Sequence, residues 1–204
     1  MKNFKTLLFT QALILCGLTV FAQNSLTKEE KNTAINHLKQ SQNELLVAVK
    51  DLTEAQLNYK SSEEVWSIAE TMEHIAIAEK NIFGIVEMTL KADPDPSKRS
   101  EVMMSDEQVL ALITSRDQKV KTRPEFEPTN SFGSYTGSLD AFKAQRKSNM
   151  VFVKKTKEDL RNRYFDFPFG KVDAYQVVLF MSGHTQRHMK QIVEIIKSDS
   201  FPKA

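Results

Sequence analysis

The sequence predicts an all-α protein folded as an up-down four-helix bundle with one additional short helix. Three observations support this prediction. Apolar residues recur at helical spacing in long segments, capping residues stand at helix starts, and strand-like alternation is rare and short. With 204 residues, 41% of them hydrophobic and 26% charged, the chain is long enough to bury a core without disulfides.

The first 22 residues differ from the rest and have the layout of a secretory signal peptide. Lys2 and Lys5 precede an apolar run over residues 7–21, and Ala22 offers a small residue at the expected cleavage site. The sequence therefore predicts a signal peptide at 1–22 and a periplasmic or secreted protein.

Two other uses of this segment stay open. One is an uncleaved anchor, although the apolar run is short for a membrane span and no basic cluster follows it. The other is a lipoprotein attached through Cys16, although Leu15 stands where a small residue is expected. Cleavage would leave a domain at 23–204 with no cysteine and no stable membrane span, and hence no disulfide or cysteine nucleophile.

The predicted mature domain carries no net charge. Removing Lys2 and Lys5 from the 28 basic residues leaves as many as the 26 acidic residues. A neutral chain without a basic cluster argues against nucleic-acid binding.

Four helix starts carry a capping pair, in which Ser, Thr or Asp is followed three residues later by Glu or Gln. The predicted helices with their capping pairs are 28–51 (Thr27, Glu30), 68–91 (Ser67, Glu70), 105–120 (Ser105, Gln108) and 174–197 (Asp173, Gln176). A further helix is predicted over 139–160 without such a pair. The helix over 105–120 is the additional short one.

The predicted connections are polar or contain helix-breaking residues. Residues 53–66 hold a turn of helix around 55–57, and 92–104 form a polar loop with prolines. Residues 122–138 are the longest irregular stretch, and a loop of this length is often functional or packs across an opening. An aromatic turn is predicted over 164–171, where Pro168 and Gly170 block a helix. 

Two of the four histidines, His184 and His188, stand four positions apart on the last predicted helix. At this spacing both imidazoles point the same way and can reach one metal ion, although two polar residues at a bundle seam are the alternative. They continue the core-facing side of Val177 and Met181, where an unpaired imidazole costs about 1–3 kcal/mol. Because Thr185 follows His184, the H-E-x-x-H metalloprotease mechanism does not apply.

A third metal ligand has to come from another helix, and the candidates are His37 and His74. His37 flanks the apolar stripe of the first helix among polar residues, which is typical of a solvated histidine. His74 lies at the edge of the buried face of the second long helix and is the stronger candidate. Sequence spacing does not show whether His74 meets the pair.

Two segments, 65–79 and 167–192, carry motifs of a known family. They combine Trp-Ser at the start of the second helix, a histidine within that helix, and H-x-x-x-H-x-x-Q on the last helix. This pattern resembles the DinB-like superfamily of helical bundles, which includes YfiT-like metal-dependent hydrolases and bacterial thiol S-transferases. The matching residues are Trp66, Ser67, His74, His184, His188 and Gln191.

The resemblance implies an up-down four-helix bundle with a divalent metal near one end, held by His74, His184 and His188. Nickel, zinc or iron suits three imidazoles, and three protein ligands leave room for water, as in catalytic sites. The implied protein is a metal-dependent hydrolase with a small-molecule substrate. The alternatives are a metal-dependent thiol S-transferase, disfavoured by the scarcity of such thiols outside the cytoplasm, and a non-catalytic bundle that binds a metal or small ligand.

Three more residues near the motifs have two interpretations each. Gln191, one turn after His188, either hydrogen-bonds a ligand or caps the helix seam. Glu70 could act as a base, but is more simply the capping partner of Ser67. Trp66 packs at the helix start and could also wall a pocket. A homodimer is open, because such bundles often dimerise, although no exposed apolar face demands one.

Overall fold

The computed structural model describes residues 25–117 and 121–203. Its helices in these ranges are α1 (Lys28–Ala48), α2 (Glu54–Leu57), α3 (Ile68–Thr89), α4 (Asp106–Thr114), α5 (Tyr135–Lys155) and α6 (Ala174–Ile196). Two 3-10 helices cover Pro96–Glu101 and Pro124–Phe126, and two strands are β1 (Tyr164–Phe167) and β2 (Gly170–Asp173). The fold is therefore mostly helical, as predicted.

The predicted signal peptide at 1–22 lies outside the described residues, so the domain boundary at residue 23 stays a prediction. Among the residues that are described, no helix combines the length and the apolar character needed to cross a bilayer.

The four long helices α1, α3, α5 and α6 form the bundle, and each packs mainly against two others. Helices α3 and α5 are neighbours that run in the same direction. Glu79 contacts Arg146, and further towards the C-terminal ends of both helices Phe83 contacts Phe152. The connection over residues 90–134 makes this possible, because it is long enough to return the chain to the end where α3 begins.

Helices α1 and α6 also run in the same direction. The Tyr175 hydroxyl donates to the Glu30 carbonyl near both helix starts, and Gln186 donates to Glu44 further along. Lys31, at the start of α1, donates to the backbone just after the end of α5, so these two helices are antiparallel. The order of directions is thus up-down-down-up. The four-helix bundle is confirmed, but its predicted simple up-down order is wrong.

The capping pairs predicted the helix starts well, since all four form reciprocal hydrogen bonds. The predicted turn of helix around 55–57 is α2, which has a capping box of its own. Helix α5 begins after Ser134 rather than at 139, and position 137 is a glycine instead of Glu or Gln, so no capping box marks the start. It ends at Lys155 rather than 160, and α4 ends at Thr114 rather than 120, because Ser115 is extended.

A β-hairpin replaces the aromatic turn predicted over 164–171. Strands β1 and β2 pair antiparallel, and the last pair joins Phe167 to Gly170, whose φ of 135° favours glycine. Pro168 and Phe169 form the tip. Neither four-residue strand, YFDF or GKVD, alternates strictly between apolar and polar residues, so no pattern predicted a strand here.

Helix α4 lies outside the bundle, against α6. A Cβ atom at Gly183 would come within 2.2 Å of Ile113 Cγ2, so the two helices approach this closely only because residue 183 has no side chain. Beyond α4, Arg116 forms a bidentate ion pair with Glu194 on α6, at 2.7 and 2.8 Å. These contacts fix α4 beside the second half of α6.

Candidate metal centre

The three histidines implied as ligands come together between α3 and α6. The Nε2 atom of His74 lies 3.0 Å from Nε2 of His188 and 3.3 Å from Nε2 of His184. His74 and His188 are buried, while His184 is partly exposed. His37 lies on α1 and does not belong to this group. 

The hydrogen bonds of two of these rings define which nitrogen carries the proton. His74 Nδ1 lies 2.7 Å from the Phe126 carbonyl, which can only accept, so Nδ1 donates. His188 Nδ1 lies 3.0 Å from Gln191 Oε1 and donates in the same way. Arg116 also approaches that oxygen, at 3.4 Å, as expected for an acceptor. Gln191 therefore hydrogen-bonds a histidine of the cluster, one of the two roles considered from the sequence.

In a neutral imidazole, a proton on Nδ1 leaves a lone pair on Nε2. The lone pairs of His74 and His188 therefore face each other across 3.0 Å. Two acceptors so close repel each other unless a cation lies between them. Within this group of described residues, which holds no carboxylate or thiolate, the His184 ring can still carry a proton on Nε2, 3.3 Å from that of His74. That single proton does not satisfy the lone pairs of both His74 and His188.

Burial disfavours a proton as the cation between the two Nε2 atoms. Loss of solvation lowers the pKa of His74 below its usual value. The same effect, reinforced by the neighbouring imidazoles, places the pKa of His184 and of His188 well below it. The three rings are therefore neutral at pH 7, which is the form that binds metals.

The spacing of the nitrogens fits a common metal. With metal–nitrogen bonds of about 2.0–2.1 Å, neighbouring ligands lie about 2.9 Å apart in an octahedral site and about 3.3–3.4 Å apart in a tetrahedral one. The observed separations of 3.0 and 3.3 Å span this range. These two separations, with the ligand atoms of all three residues within 4.8 Å of one another, suit a divalent ion held by three imidazoles.

Aromatic rings border the cluster on two sides. The Trp66 ring lies 5.0 Å from the His74 ring, and the Phe180 ring lies 6.3 Å from the His184 ring in a stacked orientation. Glu70 is not part of the cluster, because its carboxylate caps Ser67 and pairs with Lys60.

The long loop over 122–138 reaches the cluster through the Phe126 carbonyl. It also lines an open pocket of about 770 Å³ between the starts of α3 and α5, but none of the three histidines lines that pocket. Glu73, on the pocket side of α3, accepts hydrogen bonds from the backbone of Thr129 and Ser131 at 3.1 and 2.6 Å. The carboxylate thus anchors the loop.

A second buried polar cluster escaped the sequence analysis. Arg146 is fully buried and makes a bidentate ion pair with Glu79, at 2.7 Å for both contacts. Its remaining donors reach the Leu38 carbonyl and the hydroxyls of Ser41 and Thr185 at 2.7–2.8 Å. The partners lie on α1, α3 and α6, far apart in sequence, so no local motif could reveal this cluster.

The fold and the cluster together define a helical-bundle protein with a three-histidine centre suited to a divalent metal. A family model described as the DinB superfamily matches residues 37–192. The chain belongs to the DinB superfamily, which confirms the resemblance seen in its motifs.

Two similar proteins come from Bacillus subtilis. The uncharacterized protein YuaE of strain 168 is 27% identical over 148 residues, covering 72% of this chain and 87% of YuaE. The solved structure of YfiT aligns with a TM-score of 0.56 and 19% identity, covering 85% of this chain and 89% of that one. YfiT is described as a probable metal-dependent hydrolase with an unusual four-helix bundle topology. At this identity the likeness shows the fold.

Proposed function

We propose that this protein binds a divalent metal ion through Nε2 of His74, His184 and His188 and hydrolyses a small-molecule substrate there. The observation that carries the proposal is the pair of lone pairs facing each other across 3.0 Å in a buried site. A cation relieves that repulsion, and burial disfavours a proton in the role. Nickel, zinc and iron suit the three imidazoles.

When bound, such a metal supplies a Lewis acid that acidifies water and polarises a carbonyl group. The chain's own residues do the positioning. The Phe126 carbonyl and Gln191 orient the rings of His74 and His188, as outer partners of metal ligands commonly do. His184 is the partly exposed member of the cluster, so substrate approaches on its side.

Hydrolysis is favoured over the two alternatives for separate reasons. Three protein ligands leave metal positions for water and substrate, and the structurally similar YfiT is described as a probable metal-dependent hydrolase. The signal-peptide layout supports a periplasmic or secreted location, where the thiol that an S-transferase needs is scarce. A bundle that only binds metal remains the second candidate, because the described residues offer no carboxylate base within the cluster.

Metal analysis of the purified mature protein tests the proposal. We expect near-stoichiometric metal after incubation with nickel, zinc or iron, and its loss in His74→Ala and His188→Ala. The matched control is His37→Ala, which changes a histidine outside the cluster and retains the metal. A wild-type protein that retains none of these metals would contradict the site, and full occupancy in His74→Ala would remove His74 from it.

Activity measurements then separate the candidate functions. The metal-loaded protein is expected to hydrolyse members of a panel of small esters and amides, and to lose this activity on chelation. Transfer of a low-molecular-weight thiol to an electrophile in place of hydrolysis would identify an S-transferase. Stoichiometric metal with neither activity would identify a binding protein.

A further inference from the structure

Three phenylalanine rings form a nearly parallel array beside the metal centre. We call Phe167, Phe169 and Phe180 the aromatic array. The ring centroids of Phe167 lie 4.9 Å from those of both Phe169 and Phe180, with interplanar angles of 9° and 19°. The rings of Phe169 and Phe180 are 5.9 Å apart at 15°.

The parallel orientation distinguishes this array from the other phenylalanine contacts of the molecule. In the described residues, every stacked ring pair lies within the array or joins it to His184. The Phe83–Phe152 pair in the core, by contrast, meets edge to face at 82°. Edge-to-face rings interlock and fill space, whereas parallel rings present a flat face on which another ring can stack.

The array leads from the molecular surface to the metal centre. Phe169 lies at the tip of the β-hairpin and is 36% exposed. Phe180 lies one turn before His184 on α6, and the two rings stack at 24° with centroids 6.3 Å apart. The hairpin therefore places flat apolar surface beside the partly exposed histidine.

We propose that the aromatic array binds a planar aromatic group of the substrate while the group to be hydrolysed lies at the three-histidine centre. This inference rests on the proposed function and adds the class of substrate: an ester or amide whose aryl ring is attached close to the reacting carbonyl. The 6.3 Å between the Phe180 and His184 rings leaves reach for a ring within a few bonds of the metal-binding atoms. Phe169 and Phe180 are then the residues that determine specificity.

Two hydroxamates test the inference, because both bind a metal through the same oxygen atoms. Benzohydroxamate adds an aromatic ring where acetohydroxamate has a methyl group. On the zinc-loaded protein we expect benzohydroxamate to bind about threefold to tenfold more tightly, as a ring-stacking contact predicts. In Phe169→Ala and Phe180→Leu the ratio of the two affinities is expected to fall towards one.

Phe201→Ala is the matched control, because Phe201 is a partly buried ring that pairs edge to face with Tyr59. It should keep the wild-type ratio. Equal affinities of wild type for the two probes, an unchanged ratio in Phe169→Ala, or an equal loss in Phe201→Ala would overturn the role of the array. Failure of zinc or of acetohydroxamate to bind would instead contradict the proposed metal site.

Discussion

The bundle core holds two buried polar clusters, and their hydrogen bonds are satisfied in opposite ways. Around Arg146, every guanidinium donor meets an acceptor at 2.7–2.8 Å. Around His74 and His188, two acceptors face each other at 3.0 Å. The first cluster is satisfied by protein atoms alone, whereas the second leaves a site for the cation of the proposed function. Hydrogen-bond accounting thus distinguishes a structural cluster from a candidate metal site in the same core.

The two clusters also differ in what they connect. The Arg146 cluster joins all four long helices, because its partners Leu38, Glu79 and Thr185 lie on α1, α3 and α6. It fixes the relative positions of these helices in a bundle with parallel neighbours. The ligands of the histidine cluster lie on α3 and α6, and Thr185 of the Arg146 cluster directly follows His184 on α6.

The largest expected effect follows from breaking the complete cluster. Arg146→Ala leaves Glu79 buried and without its charge partner, so we expect a loss of about 3–5 kcal/mol in the free energy of unfolding. Urea denaturation of the metal-free protein measures it. The control is the double variant Glu79→Leu with Arg146→Met, which removes both charges and should cost less than Arg146→Ala alone. A greater loss in the double variant would contradict the account.

A smaller effect is expected from removing the hydrogen bond that orients His188 in the histidine cluster. Gln191→Leu removes the acceptor that holds His188 Nδ1, so metal affinity should fall about 10–100-fold. Competition with a chelator measures the change. Gln186→Leu is the matched control on the same helix, because Gln186 bonds Glu44 rather than a histidine. Equal affinities for the two variants would show that Gln191 does not orient the ligand.

The smallest expected effect is the contribution of His184 to the pH dependence of stability. Burial lowers the pKa of His184 below its usual 6.5, so below that pH the unfolded chain binds a proton that the folded protein excludes. Stability of the metal-free protein should fall as pH falls, by about 1.4 kcal/mol per pH unit for each histidine that stays neutral. Urea midpoints at about pH 7.5 and about pH 5.5 measure the slope. A shallower slope is expected for His184→Gln, and an unchanged slope would argue against burial as the cause.

The starts of α1, α3, α4 and α6 were readable in the sequence because capping is local. A capping pair spans four residues, and Ser67 with Glu70 marks the start of α3 whatever packs against it. The direction of the helices was not readable, because it depends on the path of residues 90–134 around the bundle. The hairpin was missed for a similar reason: β1 and β2 are stabilised by their packing on the core more than by their own pattern.

In the candidate site, too, local features were readable from the sequence and features that depend on helix packing were not. The spacing of His184 and His188 is local and indicated a shared face of α6. His74 meets this pair because α3 and α6 pack antiparallel. Residue spacing could not show that contact, and only the family resemblance implied it. The proton positions came only from the structure, because the Phe126 carbonyl lies 52 residues from His74 in sequence.

Gly183 has a consequence for how such proteins diverge. Because Ile113 occupies the space of a missing side chain next to His184, any larger residue at 183 would push α4 outwards. The three imidazoles would stay in place, since α3 and α6 hold them. A larger residue at 183 would therefore displace α4, which carries none of the three histidines. The displacement would also move Arg116, so its effect would reach His188 through the side chain of Gln191.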